Sequence, residues 1–344
     1  MNAFINPGSI AKSHRSFIIL CTILVALSAL ITVFSISLGP GDITFGSIID
    51  HITGRAELHA VSSGIVWDLR LPRALLAFLI GAALGVAGVT TQGMFRNPLA
   101  SPNVLGISSG ASFFVVVGIA LGVNETSIYI TPFLASMGAL FSIALLYLFS
   151  RGMKSFHALL LSGIALSTLL SACVTLVLSL KIQNYEVTVQ IMNWLLGSLE
   201  AKTWHHLSWG LPGVTLGMLL MLTMARHFDT LNLGEETAYS LGVNVRKLYA
   251  ISILAVAVLV GTATALSGII GFVGLIVPHI SRLLIGARHS RLVPFAAIFG
   301  GLFLLLVDIL ARNLTRVYLA PGVITSLLGA PMFIWLIKSS SRLK

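Results

Sequence analysis

Apolar residues fall in long runs without charge, at 17–38, 74–95, 106–123, 128–150, 156–180, 204–225, 248–281 and 293–307. A bilayer core takes about 20 apolar residues per helix, so most of these runs are long enough to cross one. The run 248–281 divides near its glycines at 268 and 271, which weaken a helix, and 319–337 completes a set of ten spans. The pattern predicts an all-α polytopic membrane protein of about ten transmembrane helices, forming a single domain over 1–344. Two polar stretches stand out between the spans. Residues 39–73 follow the helix-breaking Gly39-Pro40-Gly41, and residues 226–247 separate two later spans. Dividing ten spans into fives would orient the halves oppositely, as in inverted-repeat transporters. No repeat is visible between the halves, so this arrangement is permitted and not required.

Composition strengthens the reading. Of 344 residues, 56% are hydrophobic and 9% charged, against about 25% charged in soluble domains. The first run follows Lys12 and Arg15 as a signal peptide would, but its 22 uninterrupted residues exceed an ordinary signal core of roughly 7–15. It is expected to be the first transmembrane helix. Cys21 and Cys173 both sit inside apolar runs and read as small packing residues rather than a disulfide or metal pair.

Charge sets the expected orientation. With the N-terminus in the cytoplasm, 14 of the 21 lysines and arginines fall inside and 7 outside, as the positive-inside rule requires. Only Asp229, Glu235 and Glu236 among the acids fall inside. The formal charge of +10 therefore reflects membrane orientation, not nucleic-acid binding. Both termini are expected in the cytoplasm, 39–73 outside and 226–247 inside.

What the spans lack bears on function. Spans two to five carry no Asp, Glu, Lys or Arg in their interiors, and neither does 248–281. Gradient-driven carriers need such groups to couple ions to movement. Only Asp308, His157 and His279 approach the membrane, and Asp308 stands four residues before Arg312, the spacing of a local ion pair. A phosphate-binding loop needs Gly-Lys-Ser/Thr, and none of the seven lysines follows a glycine. Any ATPase driving this chain is another polypeptide. No metal-ligand cluster is apparent, since His279 has no Glu or second His at ligand spacing, and an intramembrane enzyme would lack a base within helical reach of a serine. Small residues are abundant instead. Gly81 and Gly85 form a small-xxx-small pair, and Gly163, Ser167, Ser171 and Thr175 form a stripe on one helix face. Such stripes allow close helix packing. The second one reads first as packing within the chain, and otherwise as a neutral pathway or a dimer seam.

Five stretches carry further signals: LRLPR (69–73), QGMFRNPLASPNVLGISSGA (92–111), LGEETAYSLGVNV (233–245), GIIGFVGLIVPHISRLLIG (268–286) and APGVITSLLGAPMFIWL (320–336). In the third, Gly234 can open a short surface helix, Glu235 and Glu236 suit its positive end, and Gly242 suits its C′ position. Ala238 and Leu241, three apart, would form a small apolar knob. In the first, Pro72 suits a first helical turn, and Arg70 and Arg73 are expected at the outer interface, snorkelling to lipid headgroups. Pro98 and Pro102 bracket a rigid internal turn. Gly268, Gly271, Gly274 and Pro278 predict partly unwound backbone, which survives at membrane depth only when covered.

In this order and over nearly the whole chain, these stretches resemble the permease subunits of iron-siderophore, haem and vitamin B12 ABC importers. The resemblance implies a type II importer permease in the bacterial cytoplasmic membrane, performing no covalent chemistry and holding no cofactor, with ATP and Mg on a partner ATPase. It implies that Gly234, Glu235, Glu236, Ala238, Leu241 and Gly242 form the coupling element engaged by cytoplasmic ATPase subunits. Arg70, Arg73 and Arg312 would meet acidic residues of a periplasmic or lipid-anchored binding protein, and a second permease, identical or paralogous, would complete the pathway. Trp194, Gly197 and Ser198 would gate the outer mouth and Lys154 and Ser155 the inner one, with Gly163, Ser167 and Ser171 along the path. The expected cargo is an iron chelate, by default a ferric siderophore, with haem or cobalamin as alternatives. An ATP-independent secondary carrier is disfavoured by the missing intramembrane carboxylates.

Overall fold

The computed structural model describes residues 14–38, 43–55, 60–150, 156–315 and 318–341. In chain order the helices are α1 (His14–Ser37), α2 (Phe45–Ile52), α3 (Ala60–Gly64), α4 (Leu71–Met94), α5 (Ile107–Ala120), α6 (Ile130–Ser150), α7 (Phe156–Lys181), α8 (Tyr185–Leu196), α9 (Trp204–Leu231), α10 (Glu235–Ser240), α11 (Val245–Ser267), α12 (Val273–Ile285), α13 (His289–Asn313) and α14 (Pro321–Ser341). Among the described residues seven helices are long and apolar enough to cross a membrane: α1, the continuous stretch Val61–Met94, α6, α7, α9, α11 and α13. Three shorter apolar helices, α5, α12 and most of α14, complete the ten expected segments.

The expected boundaries shift where local chemistry intervenes. The second span begins well before residue 74, because α3 runs through a π-helical turn (Ile65–Arg70) directly into α4. The 39–73 segment is therefore partly helical. Its α2 is closed by a capping box, with Ser47 N donating to Thr44 Oγ1 at 3.2 Å and Thr44 N to Ser47 Oγ at 3.0 Å. Ile43 and Ile48 seat it on Ile36 and Val66. The run 106–123 yields only the 14 residues of α5, about 21 Å of helix. It is preceded by a 3-10 turn, Pro102–Leu105, and by Gly106 at φ +78°. That irregular backbone is covered by protein: Ser142 Oγ donates to the Gly106 carbonyl at 2.7 Å, and Gly163 leaves no room for a side chain against the Val104 carbonyl.

At the centre lies α4, sheathed by α9, α11, α12 and α13. Small residues explain the fit. A Cβ on Gly81 would fall 2.1 Å from the Gly300 carbonyl, and one on Gly88 2.2 Å from the Gly274 carbonyl. Lipid tails are as apolar as Leu, so helices associate by such close backbone packing rather than by hydrophobic drive. Gly81 and Gly85 thus serve packing within the chain. By contrast, α1, α6, α7 and α9 expose much of their apolar surface.

The division of 248–281 occurs where the glycines indicated, but the unwinding is confined to 268–272; α12 is helical from Val273 with Pro278 inside it. Gly268 sits at φ +72° and Phe272 at φ +63°. The break is covered by α8 and α14: Gly268 abuts the Trp194 carbonyl, Gly197 abuts the Ile269 carbonyl, and Gly329 abuts the Phe272 ring. Covered backbone of this kind is what membrane depth tolerates.

Candidate functional site

The segment expected at the inner surface is shorter than 226–247, because α9 continues to Leu231 and α11 starts at Val245. Between them α10 is closed at both ends. Gly234 is its N-cap at φ +116°, a conformation that favours glycine. At the other end Gly242 N donates to the Tyr239 carbonyl and Val243 N to the Ala238 carbonyl, each at 2.9 Å, with Gly242 at φ +83°. This pair of bonds is a Schellman closure.

The expected knob of Ala238 and Leu241 does not form. Ala238 is completely buried, whereas Leu241 is 63% exposed. A spacing of three shares a face only while the helix continues, and Leu241 is already the C-cap. The exposed apolar group is instead Leu233, Tyr239 and Leu241. Glu236 is exposed beside it. Glu235 is held within the chain, accepting from Tyr249 Oη at 3.0 Å and lying 3.6 Å from Arg96 Nη2. Arg96, at φ +46°, also donates to the Leu231 carbonyl at 3.2 Å. The bracketed turn is thereby tied to α10.

Two neighbouring contacts escaped sequence reasoning. Asp229 caps α13 from outside that helix, accepting from the backbone N–H groups of His289 and Ser290, which suits a helix N-terminus. Arg282, in α12, donates to Gln92 Oε1 of α4. Nothing local announces either pair, since the partners lie 60 and 190 residues apart.

The arginines expected to face outward turn inward instead. Asp308 is completely buried in α13. Arg73 grips it with Nε at 3.1 Å and Nη2 at 2.8 Å from Oδ1. Arg312 Nε lies 3.2 Å from Oδ2. Arg312 Nη2 also donates to Ser35 Oγ at 2.6 Å, and Arg70, 8% exposed, donates to the Ile36 carbonyl at 2.8 Å. The expected i,i+4 pair is present, but it is half of the arrangement. A buried carboxylate must be paired and hydrogen-bonded, and this one draws in a guanidinium from α4. Three guanidinium groups gather at this end of α1, α4 and α13, leaving a surplus of positive charge. In the nearby loop before α9, burial pushes the Lys202 amine down to about 8.

The residues expected at the outer gate lie against the 268–272 break. Trp194 belongs to the twelve-residue α8, opened by Asn184, whose Oδ1 accepts from Val187 N at 3.2 Å. Gly197 is its C-cap at φ +77°. Ser198 N donates to the Ser267 carbonyl at 2.7 Å and Leu199 N to Tyr318 Oη at 3.3 Å. The α7 stripe divides: Gly163 is buried against the 102–105 turn, whereas Ser171 and Thr175 are exposed. Ser167 lies between, its buried Oγ without a hydrogen-bond partner. Lys154 and Ser155 lie outside the described residues. No cluster of three or more His, Cys, Asp or Glu with metal-binding geometry occurs among the described residues.

The model of the FecCD transport family matches residues 22–339. The chain is 39% identical over 347 aligned residues to the hemin transport system permease protein HmuU of Yersinia pestis, covering 98% of this chain and 97% of that protein. It is 36% identical over 282 residues to the Fe(3+)-citrate import system permease protein YfmD of Bacillus subtilis, covering 81% and 83%. Among solved structures, an inward-facing conformation of a metal-chelate type ABC transporter matches with a TM-score of 0.83 at 33% identity, covering 93% of this chain and 99% of that one.

Proposed function

The chain belongs to the FecCD transport family, and from that premise we propose that it carries a ferric siderophore across the bacterial cytoplasmic membrane. Its coarser role is that of an integral membrane permease subunit of an ABC importer for iron chelates, haem or vitamin B12. The observation that carries the mechanism is α10, a short helix closed by glycine geometry at both ends and presenting Leu233, Tyr239, Leu241 and Glu236 to solvent. A preformed apolar knob edged by an acid is what a groove on a cytoplasmic ATPase can grip. In this reading Gly234 and Gly242 set the helix, Glu235 anchors it through Arg96 and Tyr249, and Ala238 fastens it to the bundle. Movement of α10 passes along α9 and α11 to the break at 268–272. The 194–198 segment covers that break from outside.

At the outer end, the surplus charge of Arg70, Arg73 and Arg312 supports docking of an acidic binding protein, with charge steering encounter and register more than affinity. The exposed Ser171 and Thr175 fit a neutral wall shared with a second permease subunit. Both termini face the cytoplasm in this arrangement. Haem is a second reading for the cargo, favoured by the hemin permease that aligns over nearly the whole chain.

Two measurements test the proposal. An ABC ATPase co-purifies with the wild-type chain, and Leu241→Asp with Glu236→Lys abolishes the association. Proteoliposomes supplied with the ATPase and binding protein take up a ferric hydroxamate siderophore in preference to hemin or cobalamin. Uptake that persists without nucleotide refutes the importer mechanism, and preferential hemin uptake replaces the cargo.

A further inference from the structure

One side chain joins the arginine cluster to the 197–199 segment. The Arg73 guanidinium carbon lies 5.0 Å from the centroid of the Tyr318 ring, while its nitrogens grip Asp308. On its other side, Tyr318 Oη accepts from Leu199 N at 3.3 Å and lies 3.5 Å from Ser198 Oγ. Ser198 N in turn donates to the Ser267 carbonyl, the last residue of α11 before the break. Leu199 is completely buried beneath this contact. A cation over an aromatic face is worth most when desolvated, and Arg73 is only 13% exposed at its side chain.

We propose that Tyr318 is a positioning residue that latches the 197–199 segment shut, with its own position set by the fork of Arg73 on Asp308. The proposal rests on the permease reading and adds the residue through which docking is felt at the gate. Arg73 and Arg312 share one carboxylate, with Arg70 bound to the neighbouring Ile36 carbonyl, so an acidic side chain arriving from outside competes with Asp308 for Arg73. As Arg73 tilts towards that acid, the tyrosine ring loses the cation over its face. Its hydroxyl then withdraws from Leu199 N, and the segment is free to leave the break. No covalent step is involved.

The test uses the full chain in lipid nanodiscs, with Cys21→Ser and Cys173→Ser and a single reporter cysteine at Leu199, which leaves the backbone N–H in place. Tyr318→Phe keeps the ring and removes the hydroxyl. Maleimide labelling at 199 is expected to accelerate roughly fivefold, the shift in an opening equilibrium expected from one neutral hydrogen bond. Labelling at a control cysteine replacing the buried Ser252 of α11 is expected to stay unchanged. Arg73→Lys keeps the charge but loses the fork, and is expected to accelerate labelling at 199 as well. An unchanged rate at 199 in either variant, or an equal rise at 252, overturns the latch. A reporter at Leu195 in α8 reads the same opening if the cysteine at 199 does not fold. Because no partner is present, a negative result counts against the latch alone, whereas failure of an ATPase to co-purify counts against the permease reading alone.

Discussion

The two ends of this molecule use charge in opposite ways. At the end proposed to face the cytoplasm, α10 is held by local geometry, and its ion pair, Arg96 with Glu235, has side chains 40% and 55% exposed at 3.6 Å. At the opposite, proposed outer end Asp308 is completely buried, with Arg73 and Arg312 13% and 15% exposed around it. An exposed pair contributes little because water screens it. A buried carboxylate stripped of its partners leaves charge that nothing compensates. The Asp308 end is therefore a structural ionic cluster, while the α10 end is a backbone device decorated with charge.

The contrast can be broken by mutation, and the largest effect belongs to the outer end. Asp308→Ala leaves the Arg73 and Arg312 charges without their shared partner and is expected to cost about 3–5 kcal/mol, measured by denaturant unfolding in detergent. A loss below about 1 kcal/mol, the level of an exposed pair, would erase the distinction. Next comes Gly242→Ala. Open space surrounds that Cα, so the cost is conformational, about 1–2 kcal/mol at φ +83°. It is expected to fall on α10 alone, seen as faster hydrogen exchange at the amides of 238–243 and weaker ATPase retention with the global unfolding midpoint nearly unchanged.

Arg96→Ala should be milder still, costing under about 1 kcal/mol because its partner is solvated. The check is the same denaturant series. If Arg96→Ala matched Asp308→Ala, the inner pair would be as structural as the outer one. A pH dependence in the loop before α9 stands outside that ranking. Lys202 titrates at about 8 in the folded chain against an ordinary value of 10.5. Between those values the unfolded chain holds a proton that the folded chain has released, so stability rises as pH increases from 7 to 10. Thermal unfolding at pH 7 and pH 9.5 should show that rise, and Lys202→Met should remove its contribution.

How far each region could be read in advance follows the same division. The caps of α10 were legible because a glycine at either end of a short polar segment acts within a few residues. The break in 248–281 was legible for the same reason. Ala238 was not, because its burial depends on how α9 and α11 close over one face of a six-residue helix. The outward arginines were misread because LRLPR contains no acid, and its carboxylate partner lies 235 positions away. Asp229 looked like an inner-surface acid. It became a cap only when the fold brought the start of α13 to it.

Hydrophobic run length, missing ionisable groups and glycine spacing determined by themselves that this chain crosses a membrane many times and lacks a nucleotide-binding loop. These are properties of short windows, set by the width of a bilayer and by backbone freedom. Which charges are buried, which glycines touch and which residues of α10 face solvent were decided only by the packing of α4 among its neighbours. Pairing energy in a low-dielectric interior depends on distance in space, and the order of residues along the chain does not encode it.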